Sequence, residues 1–467
     1  MRVTAVFDIG KTNKKFILFD EDFGEVFSES KRFDEIEDDD GYPCENLEAI
    51  RKWIMDVLAG ALKNENYDVR AVNFSAYGAS LVHIDASGCV VTPMYNYLKP
   101  LPEDVLQSFN KKHGNQSTIA MDTASPPLGM LNAGMQLYWL KHAKPERFQR
   151  IRWSLFLPQY LSWLFTGIAV NDYTCIGCHT SLWDFTKGDY HRWVHAEGMD
   201  RIMPPIVKSN SGVIGTIHGK RLTIGVGIHD SSSALLPYLQ THNEQFVVVS
   251  TGTWSISLNP FSKQPLNEDD LRNDCLNYMS IDGEPVRASR LFLGNEHDLQ
   301  LARLEAHFNK SDSHHSELFD EAIYRRLKED HQHHFRFESI ISGRVQPTAP
   351  SLDVFETFEE AYYQLMMELV ELQVQAIEQA IGNTAVSTLY VDGGFAGNPI
   401  FVELLMKHFG AMQISATQSS AGSALGAAIV ISDQQEKIYR LDEILKPKAS
   451  RKERRDWIAE NQKGHDI

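Results

Sequence analysis

One design occurs twice in this chain and limits its folds more than any other feature. Near the N-terminus, the apolar runs 3–7 and 15–19 flank a polar turn that contains Gly10. About 240 residues further on, an apolar run at 246–249 leads into the small-residue turn 250–253 and a second run with alternating apolar residues. Apolar runs rich in β-branched and aromatic residues around a short turn are typical of paired antiparallel strands. The repeat therefore predicts two related domains that face each other.

Strand, glycine turn and helix alternate along the rest of the chain. Apolar spacing predicts helices at 46–62, 126–166 and 355–381, and SLVHIDASGCVVTP predicts a hairpin around 86–88. LTIGVGIHDSSSALL indicates a strand, a glycine-rich turn and then a helix. This alternation is typical of α/β architecture. A length of 467 residues accommodates two domains, which we place at 1–245 and 246–467.

The Gly-Lys-Thr sequence at 10–12 has the ending of a nucleotide-binding P-loop, but its surroundings do not fit one. A P-loop requires a glycine five residues before the second glycine, and a helix after the threonine. Ala5 stands at the first of these positions, and a strand-like run follows the turn. A strand–turn–strand can still bind phosphate through backbone N–H groups, side-chain donors and nearby lysines, and an ordinary hairpin with a solvated tip is the alternative. The candidate phosphate ligands here are Gly10, Lys11, Thr12, Asn13 and Lys15.

Two carboxylates end apolar strands beside glycines. Asp8 precedes the first turn, where a carboxylate suits an Mg²⁺–water shell beside phosphates. Asp230 stands at the start of a helix, where it can act as general base for a hydroxyl or simply cap the helix. His229 beside it can hydrogen-bond a polyol. The second turn offers Thr253 at the equivalent point, so the two turns predict a polyphosphate site between two domains.

The charge balance excludes one class of partner. The chain has 45 Lys and Arg against 62 Asp and Glu, a net charge of −17, which argues against nucleic acid and against an anionic membrane face. No run of about 18 apolar residues occurs, so no membrane span is predicted. The N-terminus lacks a signal-peptide pattern, and we expect a cytoplasmic protein.

Two motifs that suggest metal or haem have simpler explanations. CIGCH at 175–179 matches a c-type haem attachment pattern, but haem c is attached outside the cytoplasm, so buried reduced thiols are predicted instead. The segment 311–335 is rich in histidine without clean ligand spacing, so a solvated helix–loop is predicted rather than a metal site. Its histidines are His314, His315, His331, His333 and His334.

These motifs, in this order, resemble the FGGY carbohydrate kinases of the ribonuclease-H-like, actin-like ATPase superfamily, and the resemblance covers nearly the whole chain. FDIGKTNKKFILFD resembles the first phosphate hairpin, GVGIHDSSSA the segment of the catalytic aspartate, and STGTWSISL the second phosphate hairpin. VDGGFAGNPIFVELLMKHFG and SSAGSALGAAIV resemble the adenosine motif and the final Gly-Ala-Ala helix. The resemblance implies an α/β fold of two ribonuclease-H-like domains that face each other across a catalytic cleft.

The resemblance also implies an ATP-dependent sugar kinase that uses ATP and Mg²⁺, with Asp230 as the base and Asp8 as the metal-holding residue. The residues implied to hold phosphates are Gly10, Lys11, Thr12, Asn13, Lys15, Gly252 and Thr253. Gly393, Gly394 and Asn398 are implied to line the adenosine pocket. Gly78, His229 and Asn295 are implied to contact the sugar.

The substrate is the least determined part of this reading. The His-Asp pair, the GTW turn and FLGNEH resemble the rhamnulokinase and L-fuculokinase branch, which implies a ketose 1-phosphate as product. Two departures bear on it: Lys11 stands where the family has a small residue, and MYNYLKP at 94–100 replaces a Trp-x-Asp-x-Arg-like stretch that helps to define the sugar pocket.

Several alternatives stay open at this point. The nearest is a kinase of the same family for xylulose, ribulose, a polyol or a sugar acid. An actin- or Hsp70-like ATPase and a non-catalytic sensor are more distant. The expected partners are a small sugar and ATP, with no nucleic acid and no membrane, and a homodimer is an open prediction.

Overall fold

The computed structural model describes residues 1–241, 244–310, 319–330, 332–340, 351–417 and 422–432. Its strands, in chain order, are β1 (Arg2–Ile9), β2 (Lys14–Asp20), β3 (Glu25–Lys31), β4 (Ile36–Glu37), β5 (Pro43–Cys44), β6 (Asp68–Ala76), β7 (Leu81–Ile84), β8 (Trp153–Phe156), β9 (Asn171–Asp172), β10 (Trp183–Asp184), β11 (Asp189–Tyr190), β12 (Ile206–Val207), β13 (Gly212–Ile217), β14 (Lys220–Gly225), β15 (Ile228–His229), β16 (Phe246–Thr251), β17 (Ser255–Asn259), β18 (Cys275–Met279), β19 (Pro285–Leu291), β20 (Thr388–Gly393) and β21 (Gln413–Ala416).

The helices lie between and around these strands. In chain order they are α1 (Leu47–Lys63), α2 (Glu103–His113), α3 (Gln116–Thr123), α4 (Ala133–Ala143), α5 (Pro145–Phe148), α6 (Leu157–Thr166), α7 (Tyr173–Ile176), α8 (Arg192–Glu197), α9 (Asp230–Thr241), α10 (Glu268–Arg272), α11 (Leu293–Phe308), α12 (Glu321–Asp330), α13 (Phe358–Ile381), α14 (Pro399–His408) and α15 (Gly422–Val430).

Two mixed sheets share one strand arrangement. In the first sheet, β1, β2 and β3 form an antiparallel meander, and β6 lies parallel to β1 on the other side. In the second sheet, β16, β17 and β19 form the meander, and β20 lies parallel to β16. A further parallel strand follows in each sheet, β14 beside β6 and β21 beside β20. The predicted α/β fold of two related units is confirmed.

Helices cover the sheets with apolar faces, as their sequences predict. Asn46 caps α1 by accepting a hydrogen bond from the Ala49 backbone N–H, and the helix buries Ile50, Ile54 and Leu58 at helical spacing. The long helix α13 plays the equivalent part on the second sheet, where it packs in one core with β16 and β20. Each sheet therefore has its own hydrophobic core.

The small-residue helix α15 follows the second sheet in the chain but packs against the first. The Asn73 side-chain amide of β6 donates to the carbonyl oxygen of Ala427 at 2.8 Å. A Cβ on Gly426 would lie 1.9 Å from the carbonyl oxygen of Ser233 in α9, so only glycine permits this approach. The predicted close packing of α15 is confirmed, and its partners are α9 and the first sheet. The boundary between 245 and 246 stays a prediction.

One local prediction is wrong. The segment 126–166 is not helical throughout, because β8 interrupts it and pairs antiparallel with β7. His83 and Ser154 hydrogen-bond across this pair at 2.9 Å, so a distant partner strand overrides the local helical spacing. The turn at 86–88 does form, with the Asp85 N–H donating to the Cys89 carbonyl at 2.9 Å, but the main partner of β7 is β8.

The cysteine and histidine motifs behave as structural residues where they are described. All five cysteines are free thiols, and Cys175 and Cys178 are buried as predicted. His314, His315 and His331 lie outside the described residues. His333 pairs with Glu371 at 2.9 Å. Over the stretches that the structure describes, no helix combines the length and the apolar character that a bilayer crossing needs.

Candidate functional site

The two predicted turns meet at the interface of the two sheets. In the first turn, between β1 and β2, the Gly10 N–H donates to the Asn13 carbonyl at 3.0 Å. In the second, between β16 and β17, the Gly252 N–H donates to the Trp254 carbonyl at 2.8 Å. The Thr12 and Thr253 hydroxyl oxygens are 3.4 Å apart, although 241 positions separate them in the chain. The turns therefore form two sides of one cleft.

The lysines of the first turn have separate environments. The Lys11 ammonium pairs with Glu35 at 2.8 Å and with Glu45 at 3.5 Å. Lys14 is buried and also pairs with Glu45, at 2.9 Å. Lys15 is instead opposite Asp8 in the pair of strands β1 and β2, and its positive charge favours the ionised form of the Asp8 carboxyl group. The Lys11 side chain is thus held by carboxylates, and its contact with phosphate stays a prediction.

We expect Lys15→Ala to raise the KM for ATP about tenfold, because it removes a positive charge that acts on Asp8 and Asp392, which end strands beside the glycine turns. Lys11→Ala is the matched control on the same turn, and its KM for ATP should stay within about twofold of the wild type because its ammonium already pairs with carboxylates. Steady-state kinetics at saturating sugar measures both values. A larger effect in Lys11→Ala than in Lys15→Ala would contradict this assignment.

Asp8 is the penultimate residue of β1, just before the first turn, and is largely buried. Its Oδ1 accepts a hydrogen bond of 3.0 Å from the Ser423 hydroxyl of α15. Burial raises the pKa of Asp8, and the negative charge of Asp230 raises it further. The two predicted carboxylates therefore lie close enough to repel each other. Negative charge is concentrated here, and a bound cation would relieve the repulsion.

The donor set around Asp8 fits a hard divalent cation. Mg²⁺ is usually held by one or two carboxylates together with the phosphate oxygens of its substrate and several waters. Asp8 provides a carboxylate beside a turn whose backbone N–H groups can hold phosphates. The residues present therefore fit Mg²⁺, and Asp8 is the side chain that would hold it.

Asp230 begins α9, at the end of the short strand β15. Its Oδ1 accepts from the Ser231 backbone N–H at 2.6 Å and lies 3.2 Å from the His229 Nε2. This hydrogen bond joins adjacent residues, so it orients the Asp230 carboxylate but is not the contact of a helix N-cap. Asp230 also lines a cavity of about 70 Å³, which is compatible with a role as base.

Both halves of the chain form the wall of this cavity. The residues that line it include Gly78, Tyr97, His229, Asp230, Trp254 and Arg290. Tyr97 comes from the unusual stretch at 94–100, and burial raises the pKa of its hydroxyl to about 12. The stretch therefore still supplies a pocket wall, with a neutral phenol as hydrogen-bonding group.

Gly78 allows His229 to lie in the cavity wall. A Cβ at residue 78 would be 2.7 Å from the Cys178 Sγ and 3.1 Å from the His229 Nε2. The Cys178 Sγ is itself 3.1 Å from that nitrogen. Burial lowers the pKa of His229, so the imidazole is neutral and can serve as a hydrogen-bonding group. Two of the three residues predicted to contact the sugar are therefore adjacent.

Gly78→Ala should raise the KM for the sugar about tenfold or more, because the methyl group displaces His229 or Cys178 from a packed wall. The KM for ATP should stay unchanged. Cys178→Ala combined with Gly78→Ala removes the closer contact and should recover part of the loss. Gly252→Ala is a glycine control in the same cleft, with no atom within 3.5 Å of the added carbon other than its chain neighbours. Equal sugar KM values for wild type and Gly78→Ala would show that this wall does not contact the sugar.

Asn295 is not among the described residues that line the cavity with Gly78 and His229. It belongs to the first turn of α11, and its backbone N–H donates to the Thr253 carbonyl at 3.2 Å. A Cβ on the preceding Gly294 would lie 2.0 Å from the Gly252 carbonyl oxygen, so the helix begins against the second turn. Its predicted contact with the sugar stays a prediction.

The third glycine turn has the predicted strand before it and the predicted helix after it. Gly393 has a φ of +86°, and a Cβ there would lie 1.9 Å from the Thr251 carbonyl oxygen, so glycine is required. Gly394, in contrast, borders open space. Burial raises the pKa of the neighbouring Asp392 to about 6. Asn398 caps α14 and donates to the Tyr362 hydroxyl at 2.9 Å. The adenosine roles of these residues stay predictions.

Sequence reasoning missed three residues at this site. Arg290 lines the cavity from β19, Tyr97 lines it from a loop, and Ser423 binds Asp8 from α15. Arg290 had a weak signal, since two arginines in one short strand that also contains Val286, Ala288 and Leu291 are unusual. Ser423 had none, because its partner lies 415 positions away in the chain.

Comparison with known proteins identifies two family regions. Residues 3–231 match the N-terminal domain of the FGGY family of carbohydrate kinases, and residues 243–438 match the C-terminal domain of FGGY carbohydrate kinases. Together these regions cover most of the chain.

Individual relatives are distant. A rhamnulokinase of Oceanobacillus iheyensis is 24% identical over 269 residues, which are 53% of this chain and 54% of that protein. An L-fuculokinase of Escherichia coli is 24% identical over 198 residues, which are 40% and 41% of the two chains. The chain thus spans about half the length of the curated relatives it matches. The crystal structure of a carbohydrate kinase from Novosphingobium aromaticivorans is 22% identical, covers 98% of this chain and 99% of that one, and superimposes with a TM-score of 0.72, which shows a shared fold.

Proposed function

Because this chain belongs to the FGGY family of carbohydrate kinases, we propose that it transfers the γ-phosphoryl group of ATP to a hydroxyl of a ketose, and that Asp230 is the general base. The observation that carries the proposal is the position of the Asp230 carboxylate. It lines a cavity whose wall comes from both halves of the chain. Two glycine turns suited to phosphate meet beside it, with their threonine hydroxyls 3.4 Å apart.

Phosphoryl transfer depends on positioning and charge stabilisation more than on covalent chemistry. A sugar hydroxyl is a weak nucleophile at neutral pH, so a carboxylate that takes its proton as the bond to phosphorus forms accelerates the step. Asp230 is suited to this role, because the Ser231 N–H fixes its Oδ1 at 2.6 Å. The proton moves from the sugar hydroxyl to a carboxylate oxygen of Asp230, and ADP leaves with the electrons of the broken bond.

The turns would hold the phosphates of ATP. The Gly10 and Gly252 N–H groups close the two hairpins by donating to carbonyls within the turns, so the donors for phosphate would be the other backbone N–H groups of the turns and the hydroxyls of Thr12 and Thr253. Mg²⁺, when bound at Asp8, would neutralise charge on the transferring phosphoryl group. Water has to be kept from the γ-phosphate, and a cleft between two separately packed units can close over the sugar to do this.

L-Rhamnulose and L-fuculose are the first candidates as substrate, and their 1-phosphates as products. Support comes from the rhamnulokinase and L-fuculokinase relatives and from the His-Asp and GTW motifs that led to the same branch. Xylulose, ribulose, a polyol and a sugar acid are the alternatives within the family. A homodimer and a cytoplasmic location complete the proposal.

An ADP-release assay with the whole chain, ATP and Mg²⁺ tests this function. The acceptor panel contains L-rhamnulose, L-fuculose, L- and D-xylulose, and L- and D-ribulose, with glycerol and gluconate as controls. We expect ADP release that depends on one of the ketoses, with the sugar phosphate detected by mass spectrometry. ADP release that no acceptor stimulates would instead support an ATPase of the actin or Hsp70 kind and would overturn the proposal.

A further inference from the structure

Arg290 is a buried cation in the wall of the cavity that contains Asp230. It lies on β19 with 4% of its surface exposed. One guanidinium nitrogen, Nη2, donates to the Asp274 Oδ1 at 2.7 Å. The Nε–H is also buried, and it has no hydrogen-bond partner among the residues described. A buried N–H of a charged group without a partner is costly, and because Arg290 lines the cavity, a bound ligand could offer the oxygen that this donor lacks.

The guanidinium is held in place before any ligand binds. It lies 5.1 Å from the centre of the Trp254 ring, and that ring stacks on Phe292 at 4.3 Å. Asp274 holds the same guanidinium group by accepting the hydrogen bond from its Nη2. A donor positioned on two sides loses little conformational freedom when a ligand oxygen arrives, which favours specific recognition.

The charge of Arg290 is already balanced. Asp274 pairs with it closely, with side-chain exposures of 2% for Arg290 and 19% for Asp274. Of the described residues that line the cavity, Arg290 alone has a permanent positive charge, and Asp230 contributes a negative one. A carboxylate on the substrate would therefore meet the negative charge of Asp230 in the cavity wall and a single cation whose charge Asp274 already offsets.

We propose that Arg290 is a specificity-determining residue that donates its Nε–H to an uncharged hydroxyl or carbonyl oxygen of the acceptor, and that the Arg290–Asp274 pair selects neutral polyhydroxylated substrates over sugar acids. The inference rests on the phosphotransfer proposed above and narrows its acceptor class. Arg290 and Trp254 also line a neighbouring cavity of about 430 Å³, so a change at Arg290 alters the boundary of the acceptor site.

Two variants test the two parts of the proposal. Arg290→Gln removes the charge and the positioned donor, and we expect the KM for the preferred neutral acceptor to rise about tenfold or more while the KM for ATP stays constant. Asp274→Asn leaves the Arg290 charge without its counter-ion, and we expect the kcat/KM of gluconate relative to that of the neutral acceptor to rise about tenfold. Asp274 has a φ of +59°, a conformation that asparagine tolerates well, so this variant should fold.

Arg287 provides a matched control. It lies on the same strand, is 3% exposed, and pairs with Asp270 at 2.5 Å, but it does not line the cavity. Arg287→Gln therefore removes a buried, paired arginine without changing the acceptor site. We expect it to lower thermal stability about as much as Arg290→Gln does, and to leave acceptor specificity unchanged.

Calorimetric titration of acceptors in the presence of a non-hydrolysable ATP analogue gives a second readout that does not require turnover. Tighter binding of gluconate than of every neutral sugar by the wild type would overturn the proposal. An acceptor KM in Arg290→Gln within twofold of the wild-type value would also overturn it. So would an Asp274→Asn variant in which the kcat/KM of gluconate relative to that of the neutral acceptor is unchanged. A wild type that phosphorylates gluconate in preference would leave ATP-dependent phosphotransfer standing, but it would overturn this inference and the assignment of a ketose as the acceptor. A wild type that binds neutral sugars but phosphorylates none would contradict the kinase function, and the binding data would still test Arg290.

Discussion

Asp230→Asn is expected to lower kcat for sugar phosphorylation by about 10²–10⁴-fold, the range that a positioned general base contributes. An amide has no basic oxygen that can take the proton of the sugar hydroxyl at neutral pH. The KM for ATP should change little, because no contact proposed for ATP involves this side chain. Coupled ADP-release kinetics gives kcat, and calorimetry with an ATP analogue gives the affinity for nucleotide.

The structure separates this effect from unfolding. The hydrogen bond that Asp230 accepts from the Ser231 N–H at 2.6 Å can be accepted equally by the oxygen of an asparagine side chain. Thermal stability should therefore stay close to that of the wild type. Asp56→Asn, on the exposed face of α1, is the control for the same change of residue type far from the cleft. Turnover near the wild-type value in Asp230→Asn would exclude Asp230 as the base.

Asp8→Asn is expected to lower kcat by about 10²-fold or more and to raise the Mg²⁺ concentration needed for half-maximal rate, because a metal ion contributes several kcal/mol of charge stabilisation to phosphoryl transfer. The amide keeps an oxygen that can accept from the Ser423 hydroxyl, now 3.0 Å from the Asp8 Oδ1, so the contact with α15 can persist. Mg²⁺ titrations at fixed ATP measure the shift.

A charge-preserving variant makes the Asp8 test sharper. Asp8→Glu keeps the carboxylate and moves it by one methylene, so we expect a smaller loss of kcat than in Asp8→Asn and a Mg²⁺ dependence closer to the wild type. Equal Mg²⁺ dependence in the wild type and in Asp8→Asn would show that Asp8 does not hold the metal.

The parts of the site that were predictable from sequence have local signals. The turn around Gly10 and the turn before Trp254 were predictable because each lies between two short apolar runs, and the strand arrangement around them followed from the repeat. Asp230 was identifiable because a carboxylate directly after a glycine-flanked strand and before a helix is a recognisable pattern.

The parts that were not predictable depend on contacts between distant segments. The ammonium of Lys11 was predicted to lie near phosphates, but its partners Glu35 and Glu45 come from a loop whose path no local pattern encodes. The strand β8 was hidden for the same reason, since only its pairing with β7 makes it a strand. Arg290 lines the cavity because of the register of β19, and that register depends on the pairing of strands across the second sheet.

The packing of α15 limits how this protein can be divided or recombined. The helix follows the second sheet in sequence, yet Ser423 supports Asp8 at 3.0 Å and Gly426 packs directly on Ser233. A fragment that stops near residue 245 would therefore lose the hydrogen bond to Asp8 and expose the apolar faces of β1 and α9. Exchange of C-terminal halves between relatives would similarly join one protein's aspartate to another protein's helix. The two halves thus depend on each other structurally, even though each has its own sheet and its own core.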